Sequence, residues 1–112
     1  MLHLSPIPDS VLKALPVLDT NQLGRVVHKH TELDGLPDLD GIRVAIVGVQ
    51  EDRRAYRNVG CDGAADAIRP LLYQLYKGNW DFHVADLGNL YKGEQHIDTI
   101  TALKEITGEL LK

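Results

Sequence analysis

Arg43-Val44-Ala45-Ile46-Val47-Gly48-Val49 is a near-continuous apolar run rich in β-branched residues. Such a run is the pattern of a strand covered on both faces in a parallel sheet, so the chain must supply helices to pack against it. After a polar stretch at residues 50–60, residues 62–77 set Ala64, Ala67, Ile68, Leu71, Leu72 and Leu75 at helical spacing, stopped by Gly78. Pro70 deletes one helical hydrogen bond, which predicts a kink or a late helix start. Asp81-Phe82-His83-Val84-Ala85-Asp86-Leu87 alternates more than the first run and reads as a second strand, at a sheet edge with one face partly covered. A final helix over residues 96–111 carries Ile97, Ile100, Leu103, Ile106 and Leu110 on one side. Strand, helix, strand, helix in this order implies a right-handed parallel crossover and an α/β fold.

The 112 residues allow one domain. Residues 1–41, broken by Pro6, Pro8, Pro16, Gly24, Gly35, Pro37 and Gly41, read as a lead-in with short helices near residues 9–15 and 21–30. Residues 42–112 hold the βαβα part. Two strands make a poor parallel sheet, because such sheets are normally flanked and covered. The chain therefore reads as the beginning of a longer α/β protein, or as a unit that completes itself with further copies. The composition, 44% hydrophobic and 25% charged, is that of an ordinary folded protein. A net charge of -4 disfavours nucleic acid as a partner. No run approaches the roughly 18 apolar residues of a membrane span. The lone Cys61 and the absence of a signal-like N-terminus point to a reducing, cytoplasmic setting.

Few residues suggest chemistry. Asp81, His83 and Asp86 invite a metal reading, since His and Asp ligate divalent ions. On a strand, however, Asp86 points away from the other two, and a strand with polar ends is the simpler account. His28-Lys29-His30 reads as a solvated helix end. Glu51, Arg53, Arg54, Arg57 and Asn58 lie in the charged loop after the first strand, the edge where open α/β sheets bind ligands. Two readings stay open for them: a solvated, internally paired loop, or the rim of a substrate pocket. Gly60-Cys61-Asp62-Gly63 lacks the spacing of a phosphate loop. Cys61 sits beside Asp62 and Asp66, which would raise a thiol pKa, so it reads as a small junction residue. Trp80, Tyr73 and Tyr76 read as aromatics that close the rim of the core.

Taken together, Val44-Ala45-Ile46-Val47-Gly48-Val49, Gly60, Ala67-Ile68-Arg69 and Asp86-Leu87-Gly88-Asn89 resemble the opening of the ureohydrolase family of arginases, agmatinases and formimidoylglutamases. In that family a strand ending in glycine leads to a Gly-Pro-x-x-Ile-Arg helix start, and the next strand ends in Asp-x-Gly-Asp. Here Ala64-Ala65 stands in place of Gly-Pro, Asn89 replaces the last aspartate, and Pro70 follows Arg69. The resemblance runs over residues 43–111, and the length of the lead-in is most like the formimidoylglutamase branch. It implies a three-layer α/β/α arginase-like parallel sheet, of which this chain holds the first βαβα portion. It also implies, for a full-length parent, two manganese ions and hydrolysis of a C–N bond in a linear amidine by a metal-bridging hydroxide. The family's ligand segments, Gly-Gly-x-His, Asp-x-His-x-Asp and a late Asp-x-Asp, are absent from these 112 residues. No catalytic or metal-binding residue carries over, and the segment alone is expected to be inactive, with no cofactor of its own. The family's sheet order puts the second strand at a border and the first inside. The outer edge of the first strand then awaits the rest of the domain or a second copy.

Overall fold

One strand organises the molecule, and it is not the most apolar one. The computed structural model describes residues 3–50, 63–90 and 94–111. In chain order its elements are β1 (Leu4–Ser5), α1 (Asp9–Lys13), α2 (Leu23–Val26), β2 (His28–Lys29), β3 (Ile42–Val49), α3 (Ala64–Tyr73), β4 (His83–Leu90) and α4 (His96–Leu110). They form an α/β protein with a mixed four-stranded sheet. β4 pairs in parallel with β3 along its length. It also pairs with β2 in parallel at Ala85 and Asp86, and with β1 in antiparallel fashion at Asn89 and Leu90.

This arrangement exchanges the roles the two long strands were expected to play. Every residue of β4 from Val84 to Leu90 is buried. β3, read as covered on both faces, pairs with β4 alone among the described residues, and Val44 and Val49 are 43% and 38% exposed. The cause is the lead-in. Its prolines and glycines predict short helices only, yet two short strands of it occupy β4's other side, and His30 N donates to Asp86 O at 2.9 Å to extend that pairing. The sheet is consequently mixed where a purely parallel one was expected.

The helices lie on opposite faces of β4. Ala85 and Leu87 pack with Ala102 and Ile106 of α4. Asp86, between them, turns to the other face and meets Arg69 and Tyr73 of α3, because successive strand residues alternate sides. Tyr73 joins Ile7, Val11 and Leu18 in a second cluster beneath α1. α4 opens with Gln95 N donating to Asp98 Oδ2 at 3.0 Å, which satisfies one of the free donors of the first turn.

α3 differs from its periodicity in two ways. It starts at Ala64 and continues through Pro70, but it ends at Tyr73, short of Gly78. The lead-in captures the chain there: Leu23 N donates to Leu75 O at 2.8 Å and Lys77 N to Asn21 O at 2.7 Å. Its apolar stripe also faces outward, with Ile68 55% and Leu71 70% exposed, and Leu75 beyond the helix end is 58% exposed. Leu87→Ala should therefore cost about 2–5 kcal/mol in urea denaturation, whereas Leu71→Ala should stay within about 0.5 kcal/mol of wild type. The reverse order would place α3 in the rotation its periodicity suggested.

Candidate functional site

A buried polar cluster replaces the apolar contact expected under α3. Arg69 and Tyr73, one helical turn apart, face β4 together with Asp66 one turn earlier. Arg69 and Asp86 are 2% and 0% exposed. Arg69 Nε and Nη2 donate to Asp86 Oδ2 and Oδ1 at 2.9 and 3.0 Å, a bidentate fork. Arg69 Nη2 also donates to Gly88 O at 2.8 Å, and Nη1 donates to Asn89 Oδ1 at 2.6 Å and to Asp66 Oδ1 at 3.1 Å. All five guanidinium N–H groups are thereby used. Asp86 accepts in addition from the Tyr73 hydroxyl and from Gly88 N. Asn89 Nδ2 closes the cluster by donating to Asp66 Oδ1 at 2.9 Å.

Two glycines make room for it. Gly88 has φ +88°, and a Cβ there would strike Ser5 O; a Cβ at Gly48 would strike Asn89 Oδ1 and Ala65 Cβ. Burial opposes the Arg69 charge, but the hydrogen bond and the negative charge of Asp86 outweigh it and its pKa is raised. Burial, then the Asp86 charge and the hydrogen bond to it, push the Tyr73 phenol well above its ordinary 10.0. Burial lowers the Lys29 pKa, partly offset by Asp86; its ammonium lies 5.8 Å from the Tyr73 ring centre. The cluster is bonded internally through the buried Arg69, Asp86 and Asn89, with the Asp66 side chain, 28% exposed, at its edge. It is a rivet between α3 and the C-terminal end of β4.

Asn89 is intelligible from the charge balance. One guanidinium already faces two carboxylates, Asp66 and Asp86. An aspartate at position 89 would add a third and would lose the donor to Asp66, whereas the amide both accepts and donates.

The sequence-derived candidates are scattered. Glu51, Arg53, Arg54, Arg57, Asn58 and Cys61 lie outside the described residues. Asp86 is held by Arg69, while His83 is exposed beside His28, so the Asp81-His83-Asp86 set does not converge. Among the described residues no three His, Cys, Asp or Glu side chains are grouped to hold a metal ion. Residues 28–30 are not a helix end: His28 and Lys29 form β2, and His30 Nδ1 lies 2.9 Å from Leu87 O. Trp80 stacks on Phe82 at 4.6 Å, and Tyr76 donates to Asp19 Oδ2 at 2.7 Å. The spacing of Asp66, Arg69 and Tyr73 was the available sign of the cluster, but it was obscured by the apolar stripe on the same helix. No helix among the described residues is long and apolar enough to cross a membrane.

Asn89→Asp should destabilise the protein by about 1–3 kcal/mol at neutral pH in chemical denaturation; an unchanged midpoint would show that the amide donor is dispensable. Tyr73 generates a pH dependence. Its folded pKa is above its unfolded value, so its contribution is complete below pH 10.0 and declines as pH rises beyond it. That single proton contributes a slope of about 1.4 kcal/mol per pH unit above this point. Melting curves of Tyr73→Phe should fall less steeply with alkali than those of wild type, and equal slopes would rule out the buried phenol as the source. No protein-family model matches this chain, no curated protein matches it, and no solved structure matches it.

Proposed function

We propose that this chain is the opening, structural portion of a manganese-dependent ureohydrolase-type enzyme. Its parent hydrolyses a C–N bond of a linear amidine such as formimidoylglutamate, arginine or agmatine. The observation that carries this reading is the meeting of the two motifs behind the resemblance. Ile68-Arg69 and Asp86-Leu87-Gly88-Asn89 are far apart in the chain, yet Arg69 binds Asp86, Gly88 and Asn89 at once. At Gly48, the glycine position of the first strand, a Cβ would collide with Asn89 and Ala65. These residues have a physical reason to occur together.

Topology lends further support. Although β1 and β2 flank β4 where the resemblance puts a border, α3 and α4 lie on its opposite faces, and the right-handed rule sends a parallel strand following α4 to the other side of the crossover, against the β3 edge that is unpaired among the described residues. That edge is where the resemblance puts the remainder of the domain. The uncovered Val44, Ile68 and Leu71 are then surfaces for further layers.

A metal pair in the parent would supply a hydroxide at neutral pH. The residues described here do not fit such a pair, since no ligand group assembles among them. The role of this portion is scaffold, with residues 51–58 as the substrate-pocket rim. A second reading, a non-catalytic module that dimerises through its sheet, draws on the unpaired edge of β3 among the described residues.

Coding sequence beyond Lys112 should contain a Gly-Gly-x-His segment after the next strand, and an open frame without ligand segments would remove the enzyme reading. Calorimetric titration of the protein with MnCl2 should show no micromolar binding; such binding would contradict the placement of the ligands outside this chain. A stable dimer in sedimentation, dispersed by Val44→Lys, would favour the second reading.

A further inference from the structure

We propose that His28 and His83 together form an open binding site for a nitrogen-preferring transition-metal ion of the zinc, nickel or copper class. The site is independent of the manganese chemistry of the proposed parent. It lies at the opposite end of β4 from the Arg69 cluster, and neither histidine takes part in that cluster.

The pair is a product of strand pairing. β2 sets His28 opposite Ala85, and His83 is the first residue of β4, so two imidazoles 55 positions apart come side by side. His28 Nε2 lies 3.3 Å from His83 Nδ1, with ring centres 5.3 Å apart and planes at 61°. That separation is long for a hydrogen bond but suits two nitrogens on one ion. With bonds of ~2.1 Å, a 3.3 Å separation gives an N–metal–N angle of about 104°, close to tetrahedral. Both side chains are exposed, so solvent can complete the coordination. They border a cavity of about 320 Å³ whose wall includes Asp81 and Lys77. The Lys77 ammonium sits 5.4 Å from the Trp80 ring centre, which gives that cation a partner of its own.

Ligand chemistry decides the class of ion. Imidazole favours zinc, copper and nickel, whereas manganese is better served by carboxylate and carbonyl oxygen. Two protein nitrogens make an open site, consistent with the absence of any three-ligand group among the described residues. An ion held there would tie β2 of the lead-in to β4, so binding should raise the melting temperature with the logarithm of ion concentration once the site is filled.

The test is calorimetric and thermal titration of the protein with ZnCl2, NiCl2 and MnCl2. One zinc or nickel ion per chain is expected, with a rise in melting temperature and no response to manganese. His28→Gln and His83→Gln should each weaken binding by at least the roughly tenfold that even an outer-sphere partner costs, and His96→Gln should leave it unchanged. Wild-type affinity in either of the first two variants, equal loss in the third, or manganese binding as tight as zinc would overturn the proposal. Nitrogen-15 spectra of the unmodified protein provide a check independent of variant folding: zinc should move His28 Nε2 and His83 Nδ1, and shifts confined to other histidines would also overturn it.

Discussion

The Arg69–Asp86 ion pair is the interaction on which the arrangement of this chain depends. A buried guanidinium and carboxylate are costly to desolvate, and removing one partner typically costs about 3–5 kcal/mol because the other is left uncompensated. The pair is therefore a strong selector of geometry even where its net contribution to stability is small. Here it selects the rotation of α3. Only one face of the helix can bring Arg69 to Asp86, and that choice also buries Tyr73 while leaving Ile68 and Leu71 outside.

The same pair fixes the end of β4. Arg69 and Asp86 each bind the Gly88 backbone, and Asn89 is held by Arg69 and Asp66. The strand consequently finishes in a defined shape beside the Gly48 segment of β3. This is the rim at which an open α/β sheet presents its loops. A cluster whose Arg69, Asp86 and Asn89 are buried and bonded to one another, placed immediately behind such a rim, is suited to positioning that rim. That role underlies the scaffold reading, while the exposed histidine pair at the far end of β4 lies outside it and stands on coordination geometry alone.

The uneven covering of the two long strands follows from what surrounds them. β4 has strands on both sides and helices on both faces, whereas β3 has one strand partner among the described residues. The apolar run of β3 therefore exceeds the covering that this single partner and the described helices give it. Its exposed Val44 and Val49, and the outward-facing Ile68 and Leu71 of α3, are apolar surfaces left uncovered among the described residues.

By itself the sequence determined the local elements. β-branched residues over 43–49 wrote a strand, the spacing of Ile100, Leu103 and Ile106 wrote α4, and the order of elements wrote a crossover and an α/β class, because these depend on periodicity and backbone preference within a few residues. It also held the separation of His83 from Asp86, which strand alternation imposes. Tertiary structure alone decided the rest. Leu4–Ser5 and His28–Lys29 are too short to show a period, and they become strands only because β4 offers unpaired backbone groups beside them. The face that α3 buries was likewise hidden, since its apolar stripe outvoted Arg69 and Tyr73 until Asp86, seventeen positions from Arg69, supplied the partner that makes a buried charge tolerable.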